Sequence, residues 1–134
     1  MGLLELFGKK EVPSGGALFS LQCDLHPYRL PAHKAEFAEL EIKLENVFDK
    51  ELLTSLIISV PKNIGFDQTG LQTEKEIRLG MLQSKELKHM TIKLWAAPRT
   101  PPATYPVKVF ALSHYRDYGY VLGEVKKTVD LRVV

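Results

Sequence analysis

Two alternating runs, LKHMTIKLWAA and YPVKVFALS, are separated by the seven residues PRTPPAT, which hold three prolines. Each proline fixes φ and removes a backbone donor, so this connection cannot lie inside a sheet. On either side the period is two, the mark of a half-buried strand. The first run sets Met90, Ile92 and Leu94 against His89, Thr91, Lys93 and Trp95. The second sets Tyr105, Val107, Val109 and Ala111 against Lys108, Phe110, Leu112 and His114. The expectation is two strands in different sheets, joined by a crossover that Trp95 helps to cover.

The same period recurs along the chain. In ELEIKLE, residues 39–45, Leu40, Ile42 and Leu44 alternate with four charged residues, as on a strand with one wet face. Phe37 is out of phase with that row, so either a bulge near Ala38 restores it or Phe37 packs outward. Leu21, Cys23 and Leu25 alternate with Gln22 and Asp24; Leu56, Ile58 and Val60 with Leu53, Ser55, Ile57 and Ser59. Ile77, Leu79 and Met81 form a further row, as do Val125, Val129, Leu131 and Val133. Turn-forming residues at 26–27, 46–50, 61–65, 83–86 and 115–120 punctuate these runs, and residues 66–73 read as a loop. Helical periodicity is nearly absent after residue 16.

These features predict an all-β fold, an immunoglobulin-like sandwich of about seven strands with Greek-key connections. One sheet is expected to hold residues 18–25, 37–45 and 87–96, with 75–82 joining it. The other is expected to hold 53–60, 105–114 and 121–133. Residues 28–31 read as a short edge piece. The predicted organisation is a tail or short helix over 1–16, with Leu3, Leu4, Leu6 and Phe7 partly on one side, and a sandwich domain over 17–134. So short a helix has to dock, on its own domain or on a partner.

Composition narrows the function classes. At 134 residues the chain is long enough for a core without a metal or disulfide staple. A net charge of +2 is too small to drive binding to nucleic acid or an acidic membrane. Lys108, Arg116, Lys126, Lys127 and Arg132 are diluted by Asp117, Glu124 and Asp130, so no nucleic acid is expected. No apolar run approaches the roughly 20 residues of a membrane span. Glu5 interrupts the N-terminal apolar stretch and the lysines follow it, unlike a secretory leader, so a cytoplasmic protein is expected. The single Cys23 cannot form an internal disulfide and reads as a small apolar filler.

No catalytic, metal or cofactor residues are expected. His26, His33, His89 and His114 lack metal-ligand spacing, and neither a GxSxG elbow nor a phosphate-binding glycine loop is present. The residues that stand out are apolar groups on nominally wet faces: Ile57, Phe110 and Leu112, followed by Tyr115, Arg116, Tyr118 and Tyr120. An apolar patch rimmed by Tyr and Arg has the composition of a protein interface. The expected role is a non-catalytic protein-interaction or scaffolding module, with a protein partner or a second copy on that patch. The alternative is a small ligand carrier or enzyme with a cleft near His114, Arg116 and Asp117.

The order of these segments resembles the CARDB and NEW3-type domains of archaeal and bacterial proteins, and more distantly the arrestin-like sandwiches. The resemblance rests on a strand ending in Asn46, on Gly80-Met81-Leu82, and on a proline-rich loop before Tyr105-Pro106-Val107-Lys108-Val109. It covers residues 35–134 and implies an immunoglobulin-like sandwich.

Overall fold

Most of the apolar rows become the inner face of a sheet; the row of Ile77, Leu79 and Met81 breaks at a register shift, leaving Met81 exposed and Leu82 buried. The computed structural model describes residues 18–134; the expected tail or helix at 1–16 lies outside the described residues. The strands are β1 Phe19–His26, β2 Arg29–Leu30, β3 Glu36–Asn46, β4 Leu52–Ser59, β5 Ile64–Gly65, β6 Glu74–Leu82, β7 Leu87–Ala96, β8 Ala103–His114 and β9 Val121–Val133. One sheet has the order β1-β3-β7-β5 and the other β2-β9-β8-β4-β6. β2 and β5 have two residues each, so seven long strands carry the sandwich. Leu40, Ile42, Leu44 and Leu94 from the first sheet meet Leu56, Ile58, Val107, Val109 and Leu131 from the second, all fully buried.

Residues 75–82 do not join the first sheet as expected. β6 pairs antiparallel with β4 in the second, with a bulge between Thr54 and Ser55. The turn at 83–86 looks like a hairpin turn in sequence but bridges the two layers. The Lys85 N–H donates to Asn46 O at 2.7 Å and the Asn46 N–H to Glu86 O at 3.1 Å. The stop expected at 61–65 also contains a strand: β5 pairs with Trp95 and Ala96 of β7, and Ile64 is fully buried. Phe37 takes the outward option. The β3–β7 register runs without a shift from Glu36–Ala96 to Glu45–Leu87. Phe37 then packs on Trp95 at 4.9 Å, with the Lys93 ammonium 4.6 Å from its ring.

Two buried polar side chains close the ends of the sandwich. Asn46 donates to Leu82 O and Lys50 O, both at 2.9 Å, and accepts from the Phe48 N–H at 2.8 Å. At the other end Thr100 Oγ1 donates to Asn63 O at 2.8 Å and accepts from the Ala97 N–H at 2.9 Å. Tyr105 is a core tyrosine whose hydroxyl donates to Pro101 O at 2.6 Å, pinning the proline crossover to β8.

Three of the sheet edges carry a lysine on a core-facing row, whereas the edge formed by β1, Phe19–His26, carries none. Lys75 of β6 lies opposite Ile58, Lys88 of β7 opposite Leu44, and Lys127 of β9 opposite Val109. A partner strand added at any of these edges would bury an ammonium group, which discourages edge-to-edge pairing. Lys127→Val is therefore expected to keep the fold and lower the protein concentration at which light scattering rises on warming. Unchanged scattering would show that Lys127 does not protect this edge.

Candidate functional site

The outer face of the five-stranded sheet holds the first part of the expected surface. Ile57 lies opposite Phe110, in one row with Glu76 of β6 and Lys126 of β9. Both are half-buried, and the Lys126 ammonium sits 5.8 Å from the Phe110 ring centre. Leu112 is buried, only 7% exposed.

Beyond Leu112 lies a polar cluster that depends on strand register rather than sequence proximity. Ser55 Oγ and His114 Nε2 share a 2.7 Å hydrogen bond. Tyr118 folds back over them, its ring edge-on to His114 at 5.1 Å and its hydroxyl accepting the Gly80 N–H at 3.0 Å. The Arg78 guanidinium covers the same ring at 4.7 Å. Gly80 sits at φ +73, next to the bulge, in a region that suits glycine. A serine and histidine at this distance have the separation of a nucleophile and its base. Ser55 is nevertheless fully buried, and His114 Nδ1 has no orienting partner among the described residues. The third group of such an arrangement is thus missing.

The structure groups His114 with Ser55 and Tyr118 rather than with Arg116 and Asp117. Arg116, at φ +70, lays its guanidinium 5.0 Å from the centre of the Tyr115 ring. The Asp117 carboxylate accepts the Gly119 N–H at 2.8 Å within its own turn. Tyr115 and Tyr120 are exposed.

Those two tyrosines belong to a larger apolar surface at one end of the sandwich. The 47–51, 83–86 and 115–120 connections all lie there; Ser84 Oγ to Phe48 O at 2.6 Å and Lys85 Nζ to Val47 O at 2.9 Å join the first two, and Tyr118 ties the third to Gly80 of β6. Of the eleven exposed large hydrophobic residues among those described, eight are at this end: Val47, Phe48, Met81, Leu87, Tyr115, Tyr120, Val121 and Leu122. The remaining three, Tyr28, Leu71 and Val134, are elsewhere. The charged residues on these connections are of both signs: Lys50, Lys85 and Arg116 with Asp49, Glu51, Glu86 and Asp117. Sequence reasoning found the tyrosines but missed Val47, Phe48, Val121 and Leu122. Their signal was apolar residues inside or beside turns, masked at 47–48 by the Asn and Asp around them.

Other titratable groups are accounted for locally. Glu41 lies between His89 Nε2 at 2.7 Å and His26 Nε2 at 3.4 Å on the outer face of the first sheet. The hydrogen bond from His89 is the main influence holding its carboxyl below the usual range. Cys23 is half-buried among core residues, and burial pushes its thiol up to about 11. The folded state favours the neutral thiol. That stabilisation is present below the unfolded thiol's ordinary range of about 8.5 and fades as pH rises towards the folded value. At pH 8 native Cys23 is expected to react with iodoacetamide about 100-fold more slowly than in the urea-unfolded chain, by mass spectrometry. Equal rates would show that the thiol is not shielded.

Comparison with solved structures identifies the architecture. The CARDB domain of the PF1109 protein from Pyrococcus furiosus, crystallised with two metal ions, superposes with a TM-score of 0.54 at 15% identity, covering 87% of this chain and 87% of that one. The solution NMR structure of the same domain gives 0.57 at 19% identity, covering 87% of this chain and 94% of that one. A further match is to the Pseudomonas fluorescens alkylpurine DNA glycosylase AlkC bound to abasic-site DNA, with a TM-score of 0.50 at 16% identity. It covers 85% of this chain but 31% of that one. No protein-family model matches the chain, and no curated protein matches it. The fold is CARDB-like. Among the described residues no group of three or more His, Cys, Asp or Glu side chains is placed to hold a metal ion. No described helix is long and apolar enough to cross a membrane.

Proposed function

We propose that this CARDB-like sandwich is a non-catalytic protein-interaction module that binds through the end bearing the 47–51, 83–86 and 115–120 connections. The observation that supports it is the concentration of exposed Phe48, Tyr115 and Tyr120 on short, internally hydrogen-bonded connections, with exposed Val121 and Leu122 at the start of β9 beside them. Large exposed apolar patches are uncommon on monomers and mark contact surfaces. Tyrosines held on a rigid turn bind at low entropic cost. The mixed charge around the patch favours a protein over an anionic lipid or nucleic acid, and the lysines on β6, β7 and β9 disfavour strand addition at their edges. Of the residues expected from sequence, Tyr115, Arg116 and Tyr120 belong to the contact surface, and Tyr118 braces the hairpin. Ile57, Phe110 and Leu112 lie on the half-covered face behind it.

The test is affinity purification from cells that express the protein naturally, comparing wild type with Tyr120→Ser/Leu122→Asp and with Lys43→Asp on the opposite sheet. The expected result is a stoichiometric companion, a second copy included, that is lost with the double variant and kept with Lys43→Asp. The same companions in all three samples would refute this surface.

A further inference from the structure

The opposite end of the sandwich carries a pre-formed pocket with a different chemistry. Its volume is about 150 Å³, and its lining includes Lys62, Asp67, Gln68, Trp95, Arg99 and Thr100. Its walls are tied down from both sides. Thr100 joins the 97–100 turn to Asn63 O, and Arg99 Nη2 reaches Thr69 O at 3.3 Å across the mouth. Asp67 Oδ1 accepts from the Thr69 N–H at 3.0 Å, its hydroxyl at 2.5 Å and the Gly70 N–H at 3.3 Å. The glycines let this loop fold close: a Cβ on Gly65 would lie 2.5 Å from Gly70 Cα.

We propose that this pocket binds a small carboxylate carrying one flat ring, with the ring against Trp95 and the carboxylate between Lys62 and Arg99. Three features select that class. A cavity of this size accommodates a single benzene-sized ring. Trp95 is among the lining residues, the one flat aromatic group there for a ring to lie against. The lining holds two cations, Lys62 and Arg99, against the single carboxylate of Asp67, whose Oδ1 is turned to its own loop, so the net charge of the lining is positive. The Thr69 hydroxyl, chief among those donors, holds Asp67 below the usual carboxylate range, so it stays ionised and bound to the loop. The guanidinium keeps free N–H groups for a carboxylate after its bond to Thr69 O, and Lys62 adds a mobile point charge.

Trp95 is the only tryptophan in the chain, so a proton–nitrogen correlation spectrum contains one indole signal that reports on the pocket. Benzoate should move that signal saturably, with a dissociation constant on the order of 1 mM for so small a ligand. Benzamide, which keeps the ring without the charge, and acetate, which keeps the charge without the ring, should each bind at least about tenfold more weakly. Lys62→Gln and Arg99→Gln change exposed side chains, so the dispersed spectrum should persist while benzoate binding falls about tenfold in each. The proposal is overturned by any of three results: no saturable shift up to about 20 mM benzoate, equal binding of benzamide, or unchanged binding in Arg99→Gln.

Discussion

Asn46→Leu should destabilise the fold by about 3 kcal/mol and lower its melting temperature by about 10 °C. Asn46 is fully buried, and its side chain makes three hydrogen bonds, to Lys50 O, Leu82 O and the Phe48 N–H. Its backbone also joins the 83–86 turn through Glu86 O and the Lys85 N–H. Leucine fills a similar volume but leaves two carbonyls and one amide without partners, and an unsatisfied buried group costs about 1–3 kcal/mol. Asn46→Asp separates packing from hydrogen bonding. It keeps the shape and the acceptor but points a carboxylate at two carbonyl oxygens, so it should cost at least as much. Urea denaturation of both variants gives the comparison. A loss below about 1 kcal/mol in either would mean that these bonds do not close this end of the sandwich.

Thr100→Val should cost about 2 kcal/mol, because a near-isosteric methyl replaces a hydroxyl that both donates and accepts. Thr100 is buried, and its Oγ1 links Asn63 O to the Ala97 N–H across the start of the proline crossover. The second brace of this connection is Tyr105, whose hydroxyl donates to Pro101 O at 2.6 Å. Tyr105→Phe removes that bond alone and should cost about 1 kcal/mol. The double variant is informative because both bonds hold the same short segment. A combined cost that differs from the sum indicates coupling through the crossover, whereas simple additivity indicates two independent anchors. A Thr100→Val protein as stable as wild type would remove this hydroxyl from the account of the crossover.

Much of the sandwich was legible in sequence because burial on one face writes a period of two into every long strand. Leu40, Ile42 and Leu44, and likewise Val107, Val109 and Ala111, are buried as that period requires. The prolines between 98 and 104 correctly separate two sheets, since no ladder can pass through them. What was not legible depends on partners far away in the chain. The placement of β6 turns on whether a four-residue turn joins neighbours in one sheet or bridges two. That is decided by Asn46, far upstream of it. The Ser55–His114 pair is visible only once β4 and β8 are in register. Tyr118 was expected to project with its neighbours, but Gly80 offers its amide at a bulge and draws the hydroxyl back across β4. The candidate surface shifted accordingly. Its exposed tyrosines, Tyr115 and Tyr120, were singled out in sequence, and the exposed Val47, Phe48, Val121 and Leu122 joined them only when three connections met at one end.

The proposed contact surface can be tested directly by site-specific photo-crosslinking in cells, with benzoylphenylalanine in place of Tyr120 and, separately, of Lys43 on the opposite sheet. Both positions are exposed, so a difference in yield reflects what touches them. The expected result is a discrete cross-linked species from position 120, absent from position 43, and abolished when Leu122→Asp is added. Equal yields at the two positions, or a species at 120 that survives Leu122→Asp, would contradict a binding surface at this end of the sandwich.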